Sequence, residues 1–258
     1  MGLYILTGRS PCQLLSIPAC RLHDAATRPT GEAMNNRYFS NDDQLLLEQV
    51  MLHRRDVRGN NFLPDEVPDG IIDRILHSAS LAPSVGFSQP WEFVVIRDAA
   101  VKRRVSASFD LENEKAAGNF GDEKKEMYAR LKLEGIHEAP VNIAVFYKPE
   151  KEPVLGQNTM PETGEYSVVC AVQNMWLMAR ALNIGLGWVS ILEPESVKKI
   201  LKAPPQNKLV AYLCLGYVGE FFSTPELERL KWKKRKSIES VVHHDEYPDQ
   251  PLADCHEA

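Results

Sequence analysis

From Ser40 onward the apolar positions fall into recognisable periods. Ser40 and Asn41 followed by Asp42 and Asp43 make a helix start, and Leu45, Leu46, Val50 and Met51 give that helix an apolar face. A second helix has Pro68 at its first turn and carries Ile71, Ile72, Ile75, Leu76 and Ala79 at helical spacing. Trp91 to Ile96 reads as a strand and Val141 to Tyr147 as a second, buried one. Between them, residues 110–135 are charged and helical in composition, and Gly118 and Gly121 interrupt them, which predicts a mobile excursion. Residues 148–165 form a Pro/Gly-rich loop too polar to pack. Glu165 to Ile184 is apolar nearly all round, which predicts a helix buried on several sides, with Gly185 as its C-terminal cap. Strands at Gly187–Leu192 and Lys208–Leu215 flank a short helix begun by Pro194, and a charged, extended tail follows. Elements that alternate irregularly around one buried helix, with no shift in composition, predict a single α+β domain over residues 40–258.

Composition narrows the functional classes. The chain of 258 residues is 44% hydrophobic and 25% charged, which is ordinary globular material. A net charge of -5 argues against a general affinity for nucleic acid or anionic lipid. No apolar run approaches the roughly 20 residues that span a bilayer. The 5 cysteines have no C-x-x-C spacing, and Cys170 and Cys214 sit inside apolar runs where buried, reduced thiols are usual, so a reducing cytoplasm is expected. Residues 1–39 differ: acid-poor at first, with Arg9, Arg21 and Arg28, and faintly like a targeting or lipoprotein segment before Cys20. Pro11, Pro18 and Gln13 spoil both patterns, so this stretch reads as a disordered extension, with Met34 as an alternative start.

Some chemical signatures fail on inspection. Gly185-Leu186-Gly187 begins like a dinucleotide fingerprint, but Ser190 stands where the third glycine belongs, and the glycines run from helix to strand rather than strand to helix. His243-His244 and Cys255-His256 lack a spaced partner pair, so no metal site is expected. Two other segments carry more. Arg54-Arg55-Asp56-Val57-Arg58 puts three guanidiniums within five positions where a helix should end, and Arg is suited to forked recognition of phosphate. On its own this could equally be a solvated cationic face. Ala82-Pro83-Ser84-Val85-Gly86-Phe87-Ser88-Gln89-Pro90-Trp91 is a helix-to-strand turn with the hydroxyl, amide and main-chain donors that line small-molecule sites.

In this order the two segments resemble the nitroreductase family of FMN enzymes, whose R-x-S-x-R and P-S-x-x-N-x-Q-P-W elements grip the flavin. The resemblance covers roughly residues 40–240. Asp56 stands where the family usually has Ser, and Phe87 where it has Asn. Both departures, with Leu131–Ile136 and Gly187-Trp188-Val189-Ser190-Ile191, are similar to the branch of the family that makes 5,6-dimethylbenzimidazole, the lower ligand of cobalamin, by destroying FMN. The resemblance implies a mostly antiparallel central sheet surrounded by helices, in a homodimer with flavin sites at the interface. It implies that Arg54, Arg55 and Arg58, with Val57 between them and Lys233 and Arg235 from the tail, hold the FMN phosphate and ribityl chain. Lys233 is a departure, since the branch usually has Arg there and Lys cannot fork. Ala82, Pro83 and Ser84 would line the ring, and Gly86 would present its N–H to it. Leu131, from the excursion acting as a lid, and Trp188 would close over the isoalloxazine.

The implied reaction takes reduced FMN as substrate and dioxygen as oxidant, with the reduced flavin supplied by a separate flavin reductase. Asp56 is then the candidate general base and acid beside the ribityl chain, and Ser190 a candidate proton relay. Asp56 as a structural partner of the arginines and Ser190 as a satisfied strand hydroxyl are the plainer alternatives. Two rival functions stay open at this stage: an NAD(P)H-dependent nitro- or flavin reductase, and a non-catalytic FMN carrier. A carrier gains nothing from a carboxylate among phosphate-binding arginines, which counts against the second.

Overall fold

A computed structural model describes residues 38–118, 121, 126, 128, 131 and 133–248. The expectations for the extension before Tyr38, for most of the excursion and for Cys255-His256 lie outside the described residues. The chain divides at Phe39/Ser40, and the described helices and strands all belong to the unit that begins at Ser40.

Helix α1 (Asn41–His53) starts where the Ser40 and Asp43 side chains each bond the other's main-chain N–H, a reciprocal capping box. Its apolar residues find no core among the described residues. Leu45, Leu46, Leu47, Met51 and Leu52 are all exposed, and the helix has no buried residue. Helix α2 (Asp69–Ser80) behaves as its spacing predicts, burying Ile72, Ile75 and Ala79, with Pro68 as its N-cap residue. Strand β1 (Trp91–Ile96) leads to α3 (Ala99–Ala117), started by the Asp98 carboxylate on the N–H groups of Ala100 and Val101, and ended at Gly118. The first part of the expected excursion, residues 110–117, is therefore the last two turns of a continuous helix.

Strand β2 (Val141–Tyr147) is followed by the long helix α4 (Thr163–Ala181), strand β3 (Gly185–Val189), helix α5 (Pro194–Leu201), strand β4 (Lys208–Gly216) and a single helical turn, α6 (Glu226–Arg229). The strands form one sheet in the order β1-β2-β4-β3, and all three pairings are antiparallel. Strand β2 explains its own continuous apolar run. Val141, Ile143 and Val145 face α2 and α4, while Ala144 and Phe146 face the layer built on α3 and α5. The result is an α+β sandwich with helices on both faces.

Three expectations are corrected. Gly185 does not cap the long helix: α4 ends at Ala181, and Asn183, at φ 57°, takes the left-handed position that reverses the chain. The strand expected at Gly187–Leu192 is Gly185–Val189, so Ser190 lies just past its end, exposed. Helix α4 is buried or half-buried on every side from Asn174 to Arg180, as expected, but not in its first half. Tyr166, Val169, Cys170 and Gln173 form an open stripe at helical spacing, so Cys170 is exposed while Cys214 is buried as expected. The reason is common to α1 and α4: apolar content shows that a face wants cover, not that this chain supplies it.

Candidate functional site

The Arg54–Arg58 segment leaves the end of α1 in extended conformation and lies flat along the outer edge of β3. Val57 N–H donates to the Leu186 carbonyl at 3.1 Å, Asp56 makes a parallel bridge to Leu186, and Val57 itself is buried. The close approach depends on glycine. A Cβ on Gly187 would sit 2.0 Å from the Val57 carbonyl oxygen, and one on Gly185 would sit 2.3 Å from Val218 Cγ1. The two glycines that fail as a dinucleotide fingerprint thus let the arginine segment dock.

The three guanidiniums have different surroundings. Arg55 donates from Nε to Phe222 O at 2.8 Å, from Nη1 to Leu52 O and Arg54 O at 2.7 Å each, and from Nη2 to Ser223 O. It clamps the C-terminal segment to the end of α1. Arg58 pairs through Nη2 with Asp56 Oδ2, and its Nη1 donates to Leu133 O at 3.0 Å and Trp188 O at 3.4 Å. Arg54 lies over the ring of Trp176, 4.8 Å from its centroid. The Arg55 pKa is lowered by burial first, and then by the neighbouring charges of Arg54, Arg235 and Arg180. Four guanidiniums from three parts of the chain therefore feel one another.

Asp56 is held on two sides. Its Oδ1 accepts the Trp188 N–H at 3.0 Å, and its Oδ2 pairs with Arg58. Burial is the largest influence on its pKa and raises it, against Arg58, the Trp188 N–H and Arg54, which lower it; Glu226 adds a smaller push upward. The carboxylate faces a cleft of about 130 Å³ bordered by Arg54, Arg55 and Arg58 and roofed by Pro225, Glu226 and Leu227. That is below the roughly 300–1,000 Å³ typical of sites for drug-sized ligands. A cleft of that volume does not hold a whole flavin. Pro225, Glu226 and Leu227 were not among the expected site residues. A Pro at a helix start followed by Glu-Leu-Glu-Arg was the available signal for a turn within the tail.

Of the other expected residues, Trp188 is half-buried on β3 with its ring 6.3 Å from that of Trp176, and Ser190 follows two positions later. Leu131 is half-buried, one turn beyond Tyr128, whose ring meets Trp232 at 6.5 Å. Lys233 and Arg235 are exposed beside it. Ala82, Pro83, Ser84 and Gly86 are not brought to this cleft. Their loop packs at the other end of α4, where Val85 N–H donates to Ser167 Oγ at 3.0 Å. Nine residues of helix separate that contact from Trp176, about 13.5 Å at 1.5 Å per residue. The loop also feeds β1, whereas Asp56 docks on β3, and these are the two opposite edges of the sheet. Gly86 there has φ 54°, and a Cβ would meet the Leu155 carbonyl at 2.8 Å, so the turn requires glycine.

The model of the nitroreductase family matches residues 51–217, which include the arginine segment, the loop before β1 and all four strands. The chain belongs to the nitroreductase family. Among its relatives there, a 5,6-dimethylbenzimidazole synthase of Rhodospirillum rubrum is 45% identical over 192 residues, 74% of this chain and 90% of that one. Another from Rhodobacter capsulatus is 40% identical over 198 residues, 75% of this chain and 93% of its own. A crystal structure of oxidized iodotyrosine deiodinase bound to FMN and 3-iodo-L-tyrosine superposes with a TM-score of 0.63 at 21% identity, covering 78% of this chain and 100% of that one. The last comparison speaks for the nitroreductase fold alone.

Proposed function

We propose that this nitroreductase-family chain converts reduced FMN, with dioxygen, to 5,6-dimethylbenzimidazole. The observation that carries the reading is Asp56, a carboxylate that is docked between Arg58 and the Trp188 N–H and lines a cleft together with three arginines. The high identity to the two synthases supports it. The donor set fits the phosphate monoester of FMN, because three guanidiniums against the two carboxylates of Asp56 and Glu226 leave the small cleft with a net positive charge.

When bound, reduced FMN would supply the carbons of the product and the electrons that reduce dioxygen. Arg54 and Arg235 would neutralise the phosphate, with Lys233 nearby. Arg58 would keep Asp56 oriented toward the ribityl chain, and Arg55 would keep the cleft's roof in place. Asp56, with proton affinity raised by burial, would take a proton from the ribityl side and return it later. Ser190, exposed past the end of β3, would relay a proton on the ring side. Trp188 and Leu131 would shield the ring from water. Ala82, Pro83, Ser84 and Gly86 would reach the ring from a second copy of the chain. A homodimer is supported by the exposed apolar face of α1 and the open stripe Tyr166–Gln173 of α4. Among the described residues no helix is long and apolar enough to cross a membrane. The protein would work in a reducing cytoplasm, where Cys170 and Cys214, free thiols among the described residues, would stay reduced.

The test is a mass balance on flavin. Given FMN, air and a nicotinamide donor, the purified protein should be nearly inert until a separate flavin reductase is added. Total flavin should then fall as 5,6-dimethylbenzimidazole rises in equal amount. Rapid donor oxidation by this protein alone, with flavin conserved, would replace this reading with that of an ordinary flavin-dependent reductase.

A further inference from the structure

The three arginines of the cleft are not equally available to a ligand. Arg55 has four N–H donors on main-chain carbonyls, and Arg58 is engaged by Asp56, Leu133 O and Trp188 O. Arg54 differs. Among the described residues no hydrogen bond engages its guanidinium, which rests on the indole face of Trp176. A cation held over an indole ring needs no hydrogen-bond acceptor, so this contact ties the guanidinium down while its N–H donors stay uncommitted among the described residues. Such an arginine is thus held in place without spending the donors that a phosphate needs.

Trp176 does more than support one side chain. Its Nε1–H donates to the Arg55 carbonyl at 3.1 Å, and its ring meets that of Trp188 at 6.3 Å and 50°. One turn later on the same helix, Arg180 donates to the His53 carbonyl at 2.9 Å. The last turns of α4 therefore grip the main chain on both sides of Arg54, at His53 and Arg55, while the indole face supports Arg54 itself. Tryptophan combines the best aromatic surface for a cation with a donor at its edge. Phenylalanine could supply only the surface, and an aliphatic residue neither.

We propose that Trp176 is a positioning residue for phosphate recognition: it holds the Arg54 guanidinium over its ring so that the uncommitted N–H donors meet the terminal phosphate of the flavin. The inference rests on the flavin reading above and adds a residue and a division of labour to it. Arg54 is the arginine that binds, Arg55 and Arg58 are those that build, and Trp176 sets the one that binds.

Riboflavin has the ring and ribityl chain of FMN but no phosphate, so the ratio of the two affinities isolates the phosphate contact. Dissociation constants for reduced FMN and reduced riboflavin would be measured anaerobically on the full chain, as parent, Trp176→Phe and Trp176→Leu. Trp176→Leu should weaken FMN roughly 2- to 30-fold and leave riboflavin within about twofold, the range expected for loss of a cation–π contact. Trp176→Phe should keep most of the parent's preference. Should Trp176→Leu fail to fold, Trp176→Met, which retains bulk without a π face, reads the same ratio. An equal fall for both flavins would mean that Trp176 is merely scaffold and overturns the inference. So would a parent preference for FMN that survives the change intact, which leaves the flavin reading standing. A parent that binds neither flavin refutes that reading and this inference with it.

Discussion

Gly187→Ala places one methyl group where the fold has no room for it. The new Cβ would lie 2.0 Å from the Val57 carbonyl oxygen and 3.6 Å from Asp56 Oδ1. To restore even a tight contact of 3.0 Å, the Asp56–Val57 segment must retreat from β3 by 1.0 Å, the difference between the two distances. The bonds that dock the segment start at 3.1 Å for Val57 N–H to Leu186 O and at 3.0 Å for Trp188 N–H to Asp56 Oδ1, so such a retreat breaks both. The first is worth about 0.5–1.5 kcal/mol and the second, to a carboxylate, about 1.5–3, which together make about 2–4.5 kcal/mol. At about 2–4 °C per kcal/mol for a domain of this size, the melting temperature should fall by about 4–18 °C. The affinity for reduced FMN should fall as well, because the segment carries Arg54. Gly70→Ala is the control: nothing lies within 4 Å of its Cβ, and as a helical substitution it should be neutral or stabilising. Calorimetry and an anaerobic FMN titration on both variants decide the matter. A Gly187→Ala protein that melts and binds like the parent refutes the docking argument.

Other substitutions separate binding, building and chemistry. Arg54→Ala should weaken reduced FMN by roughly tenfold or more with little change in melting temperature, since a charge-assisted phosphate contact is worth about 1.5–3 kcal/mol. Arg55→Ala should instead destabilise the fold by about 1–3 kcal/mol, because its donors serve Leu52, Arg54, Phe222 and Ser223, and the reverse pattern in denaturant melts would overturn this division. Asp56→Asn should still bind reduced FMN yet yield little 5,6-dimethylbenzimidazole, returning oxidised FMN; full yield in product analysis would reduce Asp56 to a structural partner of Arg58. The same variant tests the electrostatics. The raised pKa means that the folded state favours the protonated acid, so the parent loses stability as pH rises from the ordinary 3.8 through the raised value. Asp56→Asn has no proton to lose there. The stability difference, followed by urea melts from about pH 4 to pH 8, should therefore move toward the variant with rising pH and then level off. A slope of the opposite sign would mean that Arg58 outweighs burial.

What the sequence determined by itself was local. The bounds of β1 and β2, the helix opened by Ser40, the course of α2 and the turn before Trp91 all follow from periods of two or 3.6 and from capping residues within a few positions. The order and spelling of the arginine segment and the Ala82–Trp91 loop pointed to the family before any contact was known. The tertiary structure decided what depends on residues far apart in the chain. Arg54, Arg55 and Arg58 are alike in sequence, and only the carbonyls of Phe222 and Ser223, 167 and 168 positions away from Arg55, make it a clamp. Trp176 reads as one more apolar residue of a buried helix until the end of α1 is laid across it. Gly185 and Gly187 read as a helix cap and a failed fingerprint until Val57 and Val218 come against β3. The same reason covers Leu45 and Met51 of α1: periodicity records that a face is apolar, but only the assembled surfaces show which faces this chain covers and which it leaves open.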